Sequence, residues 1–267
     1  MKTLLVTIAN DPFLPAVQVM LKSFLIHNSW FDGSIKILHS KTLSPLSEES
    51  KEEILKIDDR ITFYSINENR YSSIDMSSAL NPRFKVSYFT LEAFKFTGYD
   101  KVLFIDADIL VLGDLKSLVK RDLFTGISNS LQLYTKNRDC GPGKETPLYI
   151  NGGVFSIPGK IAGPELFQQL LDIAKPGWPK CDQDTINEWL KRTDKVYCAI
   201  TNRFNCMVRA AAQRFKSIQD LNEDGVRILH YAGKFKPWLL DPHSPFLHLE
   251  KHWLEFYHKH FGKLSNE

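Results

Sequence analysis

The stretch VLFIDADIL, residues 102–110, places two carboxylates one residue apart at the end of an apolar run. A short run of this kind, following a turn-like GYDK sequence at residues 98–101, is typical of a buried strand in a parallel sheet. Burying Asp106 and Asp108 side by side is costly unless a cation joins them. Open α/β sheets bind ligands at the carboxyl ends of their strands, where this pair lies. The stretch therefore predicts a divalent ion held by carboxylates, with the phosphates of a nucleotide completing its ligand shell.

The D-x-D pattern also has a simpler interpretation, which is a solvated turn between a strand and a loop. The same pattern recurs at residues 182–184, and a chain with this much aspartate would show it by chance. The rest of the chain decides between the two interpretations.

The composition is that of an ordinary globular protein. Of the 267 residues, 43% are hydrophobic and 24% are charged, and the formal net charge of +3 is too small to argue for nucleic acid as a partner. No apolar stretch has the length of a membrane-spanning helix. The apolar start of the chain is too short for a signal peptide, and NDP at residues 10–12 interrupts it without a cleavage site, so we interpret it as a first buried strand.

The cysteines show neither C-x-x-C spacing nor the density of a disulfide scaffold. They are Cys140, Cys181, Cys198 and Cys206. We therefore expect reduced thiols and a cytoplasmic protein, with the cytoplasmic face of a membrane as the alternative location. Cys181 lies beside acidic residues, which should raise the pKa of its thiol and argues against a reactive thiolate.

Strand-like and helix-like patterns alternate in the first half of the chain. Strands are predicted at residues 3–9, 34–39 and 61–66, and helices at residues 15–27, from residue 47, and at residues 86–96. This βαβ series implies parallel strands joined by right-handed crossovers, so the predicted fold class is α/β. No glycine precedes Gly33, which argues against the glycine-rich loop of a dinucleotide-binding domain or a P-loop enzyme. Any bound phosphate must then be held by a metal ion and basic side chains.

Two later strands carry residues suited to a ligand. The predicted strand at residues 150–155 has two interior glycines, which indicate either the close approach of a ligand or backbone, or a β-bulge. The predicted strand at residues 226–230 ends at His230. Gly233 and Lys236 follow it, and these permit close backbone approach and supply a charge suited to phosphate. A lone histidine is more often structural, but this one shares a strand end with a glycine and lysines.

The remaining segments are less informative. Helices are predicted at residues 164–174 and from residue 182, where acidic residues are ordinary partners of the helix dipole. Residues 249–261 predict an amphipathic helix with solvated histidines, packed on the domain, with peripheral membrane contact as the alternative role. Residues 129–148 show no periodicity and are either a mobile active-site loop or a surface connection.

Four separated segments together resemble glycosyltransferase family 8, whose members include glycogenin, galactinol synthase and bacterial lipopolysaccharide hexosyltransferases. The segments are VTIANDPF at 6–13, KVLFIDADILVL at 101–112, NGGVF at 151–155 with DQ at 182–183, and HYAGKFKPW at 230–238. Their order and spacing span nearly the whole chain, and the H-x-x-G-x-x-K-P-W pattern is the most specific of them.

The resemblance implies a single GT-A domain over residues 1–247, with a Rossmann-like, mostly parallel central sheet flanked by helices, and a helix packed on it at residues 248–267. It implies a retaining enzyme that moves a hexose, glucose or galactose, from a UDP-sugar to a glycan, lipid-linked or protein acceptor. The implied cofactor is Mn²⁺, with Mg²⁺ as the alternative. Oligomeric state, acceptor and linkage cannot be predicted from the sequence.

The resemblance also implies roles for individual residues. The implied metal ligands are Asp106, Asp108 and His230, a mixed oxygen and nitrogen set that suits Mn²⁺ better than Mg²⁺. The residues implied for binding the nucleotide-sugar are Ile8, Asn10, Phe13, Ala107, Asn151, Gly152, Gly233 and Lys236. The residues implied for catalysis are Asp182 and Gln183 together with Asp106 and Asp108.

Retention of configuration requires either a covalent double displacement or front-face attack guided by the leaving phosphate. Asp182 is the better nucleophile by chemistry and Gln183 a poor one. We favour front-face attack, with both residues binding the sugar and stabilising an oxocarbenium-like state.

The chain departs from the family pattern at Thr90, where relatives usually carry an arginine or lysine. A non-catalytic nucleotide-sugar binding protein is therefore one alternative. A sugar-nucleotidyltransferase is the other, although that class normally has a glycine-rich first loop with arginine, which residues 8–12 lack.

Overall fold

The first part of the chain folds as the predicted βαβ series. The computed structural model describes residues 1–74, 84–128, 149–175, 181–193 and 197–264. Its first elements are β1 (Thr3–Ile8), α1 (Leu14–His27), β2 (Ser34–His39), α2 (Glu48–Leu55) and β3 (Ile61–Ser65). Leu4, Leu5 and Val6 of β1 are fully buried, as expected for a central strand that is covered on both faces.

The D-x-D stretch contains two short strands, and the first ends at the aspartates as predicted. The middle of the chain contains α3 (Phe84–Ser87), a 3-10 helix (Tyr88–Lys95), β4 (Lys101–Ile105), β5 (Ile109–Val111), α4 (Lys116–Val119), β6 (Phe124–Ser128) and β7 (Ile150–Pro158). The apolar run therefore breaks between β4 and β5, and the two aspartates lie at this break.

The helix predicted at residues 86–96 is mostly not α-helical. One α-helical turn, α3, begins at Phe84, and the chain continues as a 3-10 helix over Tyr88–Lys95. Tyr88, Phe89 and Thr90 are poor α-helix formers because aromatic and β-branched side chains lose rotamer freedom there. They are buried, so tertiary packing stabilises the tighter winding.

The last part of the chain supplies most of the helices. Its elements are α5 (Pro164–Ala174), α6 (Asp182–Arg192), β8 (Tyr197–Ile200), β9 (Cys206–Met207), α7 (Val208–Arg214), α8 (Ile218–Glu223), β10 (Ile228–His230) and α9 (Leu247–Phe261). The predicted helices at residues 164–174 and 249–261 correspond to α5 and α9. The segment at residues 129–148, for which two interpretations were open, lies outside the described residues, as does Cys140.

Two sheets organise these elements. Seven strands form a central sheet in the order β3-β2-β1-β4-β7-β6-β8, and a smaller sheet has the order β5-β10-β9. Among the described strands of the central sheet, β7 alone runs antiparallel to its neighbours, β4 and β6. The other strand pairs are parallel. The predicted α/β fold with a mostly parallel sheet is confirmed, whereas the small sheet was not predicted.

Apolar side chains fill three clusters, one on each face of the central sheet and one beside the small sheet. The third cluster contains Leu249 and Trp253 of α9, both fully buried. The last helix therefore packs on the rest of the fold through one face. In the part of the chain that the structure describes, no helix combines the length and apolar character needed to cross a membrane.

Candidate functional site

A cavity of about 580 Å³ opens at the carboxyl ends of β1 and β4. This volume lies within the range of about 300–1,000 Å³ that is usual for small-molecule sites. The cavity is lined by every residue to which the resemblance gives a role. These are Ile8, Asn10, Phe13, Asp106, Ala107, Asp108, Asn151, Gly152, Asp182, Gln183, His230, Gly233 and Lys236.

Asp106, Asp108 and His230 form one corner of the cavity, which we call the metal corner. Each offers a ligand atom within 4.8 Å of the others. His230 Nε2 lies 3.1 Å from Asp108 Oδ1 and 3.8 Å from Asp106 Oδ2. Among the described residues this is the one group of three or more such side chains found within this distance.

Strand register explains how distant residues meet at the metal corner. The aspartates lie between β4 and β5, and β5 pairs antiparallel with β10, so that His230 lies opposite Ile109. The small sheet therefore brings the last motif onto the D-x-D loop. The sequence predicted the aspartates at the end of one strand, but it did not predict β5 or this pairing.

The two aspartates have opposite electrostatic environments. Burial in the cavity and the neighbouring charges of Asp108 and Asp182 raise the pKa of Asp106 well above its ordinary value. Burial opposes ionisation of Asp108 as well, but His230 and Lys236 hold its pKa far below the ordinary value. The pKa values of two close carboxylates are expected to diverge in this way when the cationic groups contact mainly one of them.

Lys236 reaches into the metal corner from the turn after β10. Its Nζ donates to the Asp108 carboxylate and, at 2.8 Å, to the carbonyl oxygen of Tyr231. The same Nζ lies 5.7 Å from the ring centroid of Phe13 and 5.8 Å from that of Trp238. The lysine thus lies between the D-x-D loop and the rings of Phe13 and Trp238.

A pair of aromatic rings, Phe13 and Trp238, joins the first and last motifs of the chain. Phe13 packs edge-on against Trp238, with ring centroids 5.1 Å apart. Asn10 caps the short 3-10 turn that carries Phe13, since its Oδ1 accepts a hydrogen bond of 3.1 Å from the Phe13 N–H. Gly233, on the adjoining turn, has φ +104°, a left-handed conformation that favours glycine.

The glycines of β7 allow side chains to approach closely. A Cβ at Gly153 would lie 2.7 Å from both Asp106 Oδ2 and His230 Cε1, and one at Gly152 would lie 3.0 Å from Asp182 Oδ2. The pairing of β6 with β7 also shifts register beside these glycines. Both interpretations of the glycine pair, close approach and a bulge, therefore apply.

The neighbouring part of the cavity, which we call the sugar wall after the role that the resemblance implies, consists of Asn151, Gly152, Asp182 and Gln183. Gly152 N–H donates to Gln183 Oε1 at 2.9 Å, which joins β7 to the start of α6. Asp182 is the first residue of α6 and is only 9% exposed. Its position at a helix start is what the sequence predicted.

Two hydroxyls hold the Asp182 carboxylate. Burial raises the pKa of Asp182 to about 6, although hydrogen bonds from the Ser87 and Thr90 side chains and from backbone N–H groups lower it. Ser87 and Thr90 are three residues apart, and in a 3-10 winding such positions lie on the same side. Thr90 thus contacts Asp182 through a neutral hydroxyl.

The thiol of Cys181 also lies at the sugar wall. Burial, and then the charge of Asp182, raise the pKa of this thiol to about 12. The expected direction of the shift is confirmed, although burial contributes more than the acidic neighbours named from the sequence.

A buried asparagine, Asn205, was missed by sequence reasoning. Its Oδ1 lies 2.7 Å from His230 Nδ1, and its Nδ2 donates to Asn151 Oδ1 at 2.6 Å. Gly153 N–H donates to the same Asn151 oxygen at 2.8 Å. No local pattern marks Asn205, because only the pairing of β9 with β10 brings it to the site.

Further residues line the cavity without a role inferred from their motifs. They are Ala9, Ser44, Val86, Ser87, Thr90, Gly153, Cys181, Met207 and Ala232. Most contribute backbone or apolar surface, which leaves no chemical signature in a sequence.

Comparison with known sequences finds several curated relatives at low identity. It is 24% identical over 255 residues to glycogenin-1 of Caenorhabditis elegans, an alignment covering 90% of this chain and 53% of that protein. It is 26% identical over 200 residues to the lipopolysaccharide 1,2-glucosyltransferase of Escherichia coli strain K12, covering 67% of this chain and 56% of that protein. The chain thus spans about half the length of the curated relatives it matches.

A solved structure shares the fold over almost the whole chain. The crystal structure of the galactosyltransferase LgtC with donor and acceptor sugar analogues matches with a TM-score of 0.69 at 18% identity, covering 96% of this chain and 95% of that one. The fold is therefore of the GT-A type, as predicted. The family model for glycosyl transferase family 8 matches residues 4–241, and the chain belongs to glycosyl transferase family 8.

Proposed function

We propose that the protein is a retaining, Mn²⁺-dependent hexosyltransferase that moves glucose or galactose from a UDP-sugar to a glycan or lipid-linked acceptor. The observation that carries this proposal is that the metal corner, Asp182 and Gln183 line the same cavity. Family membership supports transfer chemistry, and the presence of every expected donor-binding residue around one cavity supports a UDP-sugar.

Asp106, Asp108 and His230 would hold the metal ion. Two carboxylates and one imidazole within 4.8 Å of one another suit Mn²⁺, with Mg²⁺ as the alternative. Burial and the charges of Asp108 and Asp182 raise the pKa of Asp106, and a bound cation would offset the repulsion among these carboxylates. When bound, the ion supplies positive charge beside the diphosphate on which negative charge develops.

Lys236 would contribute a second positive charge to the leaving UDP. Its ammonium contacts Asp108, so it already lies at the edge of the metal corner. A phosphate oxygen can replace that carboxylate as its partner, because lysine is a compact charge on a flexible stem. The left-handed Gly233 allows the backbone of the same turn to approach the diphosphate.

Asp182 and Gln183 would bind the sugar and stabilise the oxocarbenium-like state. A buried carboxylate held by two hydroxyls is positioned to accept hydrogen bonds from sugar hydroxyls. We favour front-face attack, in which no protein group bonds to the sugar. If Asp182→Asn keeps most of its transfer rate, a covalent route through this residue is excluded.

The acceptor, glycan, lipid-linked or protein, would enter from the open side of the cavity. We place the protein in the cytoplasm, with peripheral contact at a membrane face as the alternative.

One experiment separates the proposal from its two alternatives. The protein is incubated with Mn²⁺ and UDP-glucose or UDP-galactose, with and without pyrophosphate, and the products are resolved by chromatography. Slow UDP release without pyrophosphate is expected of a transferase. Exchange that requires pyrophosphate would indicate a nucleotidyltransferase. Binding without turnover would indicate a nucleotide-sugar binding protein. The neutral side chain of Thr90, where the family pattern has a cation, favours this alternative.

A further inference from the structure

We propose, building on the proposed function, that Asn205 is a positioning residue that joins the metal corner to the sugar wall. Its side chain contacts His230 on one side and Asn151 on the other. Metal binding and sugar binding would therefore depend on one shared amide.

The backbone fixes Asn205 in place. It is 3% exposed and directly precedes β9. Strand β9 runs parallel to β10, with Met207 opposite His230. Because two backbone ladders hold β10, the amide of Asn205 and the imidazole of His230 meet in a defined geometry.

The hydrogen-bond directions follow from the donors and acceptors available. Asn151 Oδ1 accepts from the Gly153 N–H, so the group that Asn205 presents to this oxygen must be its NH₂. The oxygen of Asn205 then faces His230 Nδ1, which must carry a proton in order to donate to it. In the neutral form that a metal ion would require, His230 therefore has its lone pair on Nε2, the atom that lies beside Asp106 and Asp108.

This arrangement matches the general behaviour of metal-binding histidines. Such a ring usually donates its second N–H to an oxygen, which fixes the tautomer and the ring orientation. Loss of that partner typically lowers metal affinity or activity about 10–100-fold. Asn205 contacts His230 through its oxygen and Asn151 through its NH₂ group. Because different atoms make the two contacts, a substitution can remove one contact and keep the other.

Two substitutions make the separation. Asn205→Leu removes both contacts at nearly constant volume. Asn205→Asp keeps an oxygen for His230 but replaces the NH₂ donor with a second oxygen, which faces Asn151 Oδ1 without a hydrogen bond. Asn222→Leu, an exposed change on α8, is the control for nonspecific effects.

The test measures Mn²⁺ affinity by electron paramagnetic resonance titration with the metal alone, and transfer with UDP-glucose and UDP-galactose. We expect Asn205→Leu to bind Mn²⁺ at least 10-fold more weakly than the wild type. We expect Asn205→Asp to bind Mn²⁺ at least as tightly as the wild type but to lose 10-fold or more in kcat. Thermal unfolding establishes that each variant is folded, and Asn205→Ser replaces Asn205→Leu if the latter is not.

Wild-type Mn²⁺ affinity in Asn205→Leu, or an undiminished kcat in Asn205→Asp beside an active wild type, would overturn the positioning role. The metal titration does not require turnover. A wild-type protein that binds Mn²⁺ but transfers neither sugar would therefore count against the proposed hexosyl transfer, while the His230 contact is judged by the titration.

Discussion

At the scale of single residues, burial in the cavity makes the ionised form of a carboxyl group costly to the stability of the fold. The pKa of Asp182 rises from 3.8 to about 6 because the side chain is buried. The native state therefore binds this proton more tightly than the unfolded chain does. Stability contributed by the protonated group is present below pH 3.8 and is lost as the pH rises through about 6.

Asp182→Asn should therefore stabilise the protein while it weakens sugar binding. We expect a gain of about 1–2 kcal/mol in the free energy of unfolding at pH 7.5, which disappears below pH 4. Urea unfolding at several pH values measures it, with the exposed Asp59→Asn as a control that changes little. Lower stability of Asp182→Asn at pH 7.5 would contradict the assigned environment.

Thr90 is expected to act through its hydroxyl. Thr90→Val keeps the shape of the side chain but removes the hydrogen bond to Asp182, and a bond to a charged group is worth about 1.5–3 kcal/mol. We expect kcat to fall about 10-fold or more and Thr90→Ser to retain most of the activity. Equal rates for the valine and serine variants would exclude this role.

Gly153 leaves room for the metal corner. The Cβ of Gly153→Ala would lie 2.7 Å from Asp106 Oδ2 and from His230 Cε1, so one or both ligands must move. We expect Mn²⁺ affinity, measured by calorimetry, to fall at least 10-fold. Gly163→Ala is the matched control, because a Cβ there meets its nearest atom at 3.8 Å. Similar affinities in the two variants would argue against close packing at Gly153.

At the scale of elements, the loop after β2 is held against the cavity by one carboxylate. Glu68 accepts hydrogen bonds from the backbone N–H groups of Thr42 and Leu43, at 2.8 and 2.9 Å. Burial opposes ionisation, but these bonds and those of nearby hydroxyls lower the pKa of Glu68 to about 2. The loop also carries Ser44, which lines the cavity and donates to the carbonyl of Ala9.

Glu68→Gln should destabilise the protein in a pH-dependent manner. The stability that the ionised group contributes is present above pH 4.5 and is lost as the pH falls towards 2. We expect a loss of about 1–2 kcal/mol at pH 7 that shrinks below pH 4.5, measured by denaturant unfolding. Glu53→Gln, which removes only an exposed ion pair with Lys56, should change stability by less than about 0.5 kcal/mol. A pH-independent difference for Glu68→Gln would show that its charge is not involved.

The elements were predictable where local pattern and tertiary structure agree. The bounds of β2 and α5 follow directly from alternating apolar residues and from Pro164 at a helix start. The 3-10 helix at residues 88–95 did not follow, because its winding depends on burial against the sheet. The end of β4 before Asp106 was predicted, but β5 was not, because only pairing with β10 assigns this short apolar segment to another sheet.

At the scale of the whole molecule, the site forms where two sheets meet. The motifs that carry Asp106, Asp182 and His230 are far apart in sequence but share one cavity. Their residue types could be read from the sequence because metal and phosphate chemistry restricts them. Asn205 and Ser87 could not, since an asparagine or serine acquires a role only through the neighbours that the fold provides.

The central claim is that Asp106, Asp108 and His230 jointly hold a divalent ion that transfer requires. It is tested most directly by measuring UDP release after chelation and after Mn²⁺ is restored, in the wild type and in Asp106→Asn, Asp108→Asn and His230→Ala. We expect chelation to abolish wild-type turnover, Mn²⁺ to restore it, and each variant to stay at least 100-fold slower at the same Mn²⁺ concentration. Undiminished turnover in the chelated wild-type protein, or full Mn²⁺-dependent activity in any of the three variants, would contradict the account.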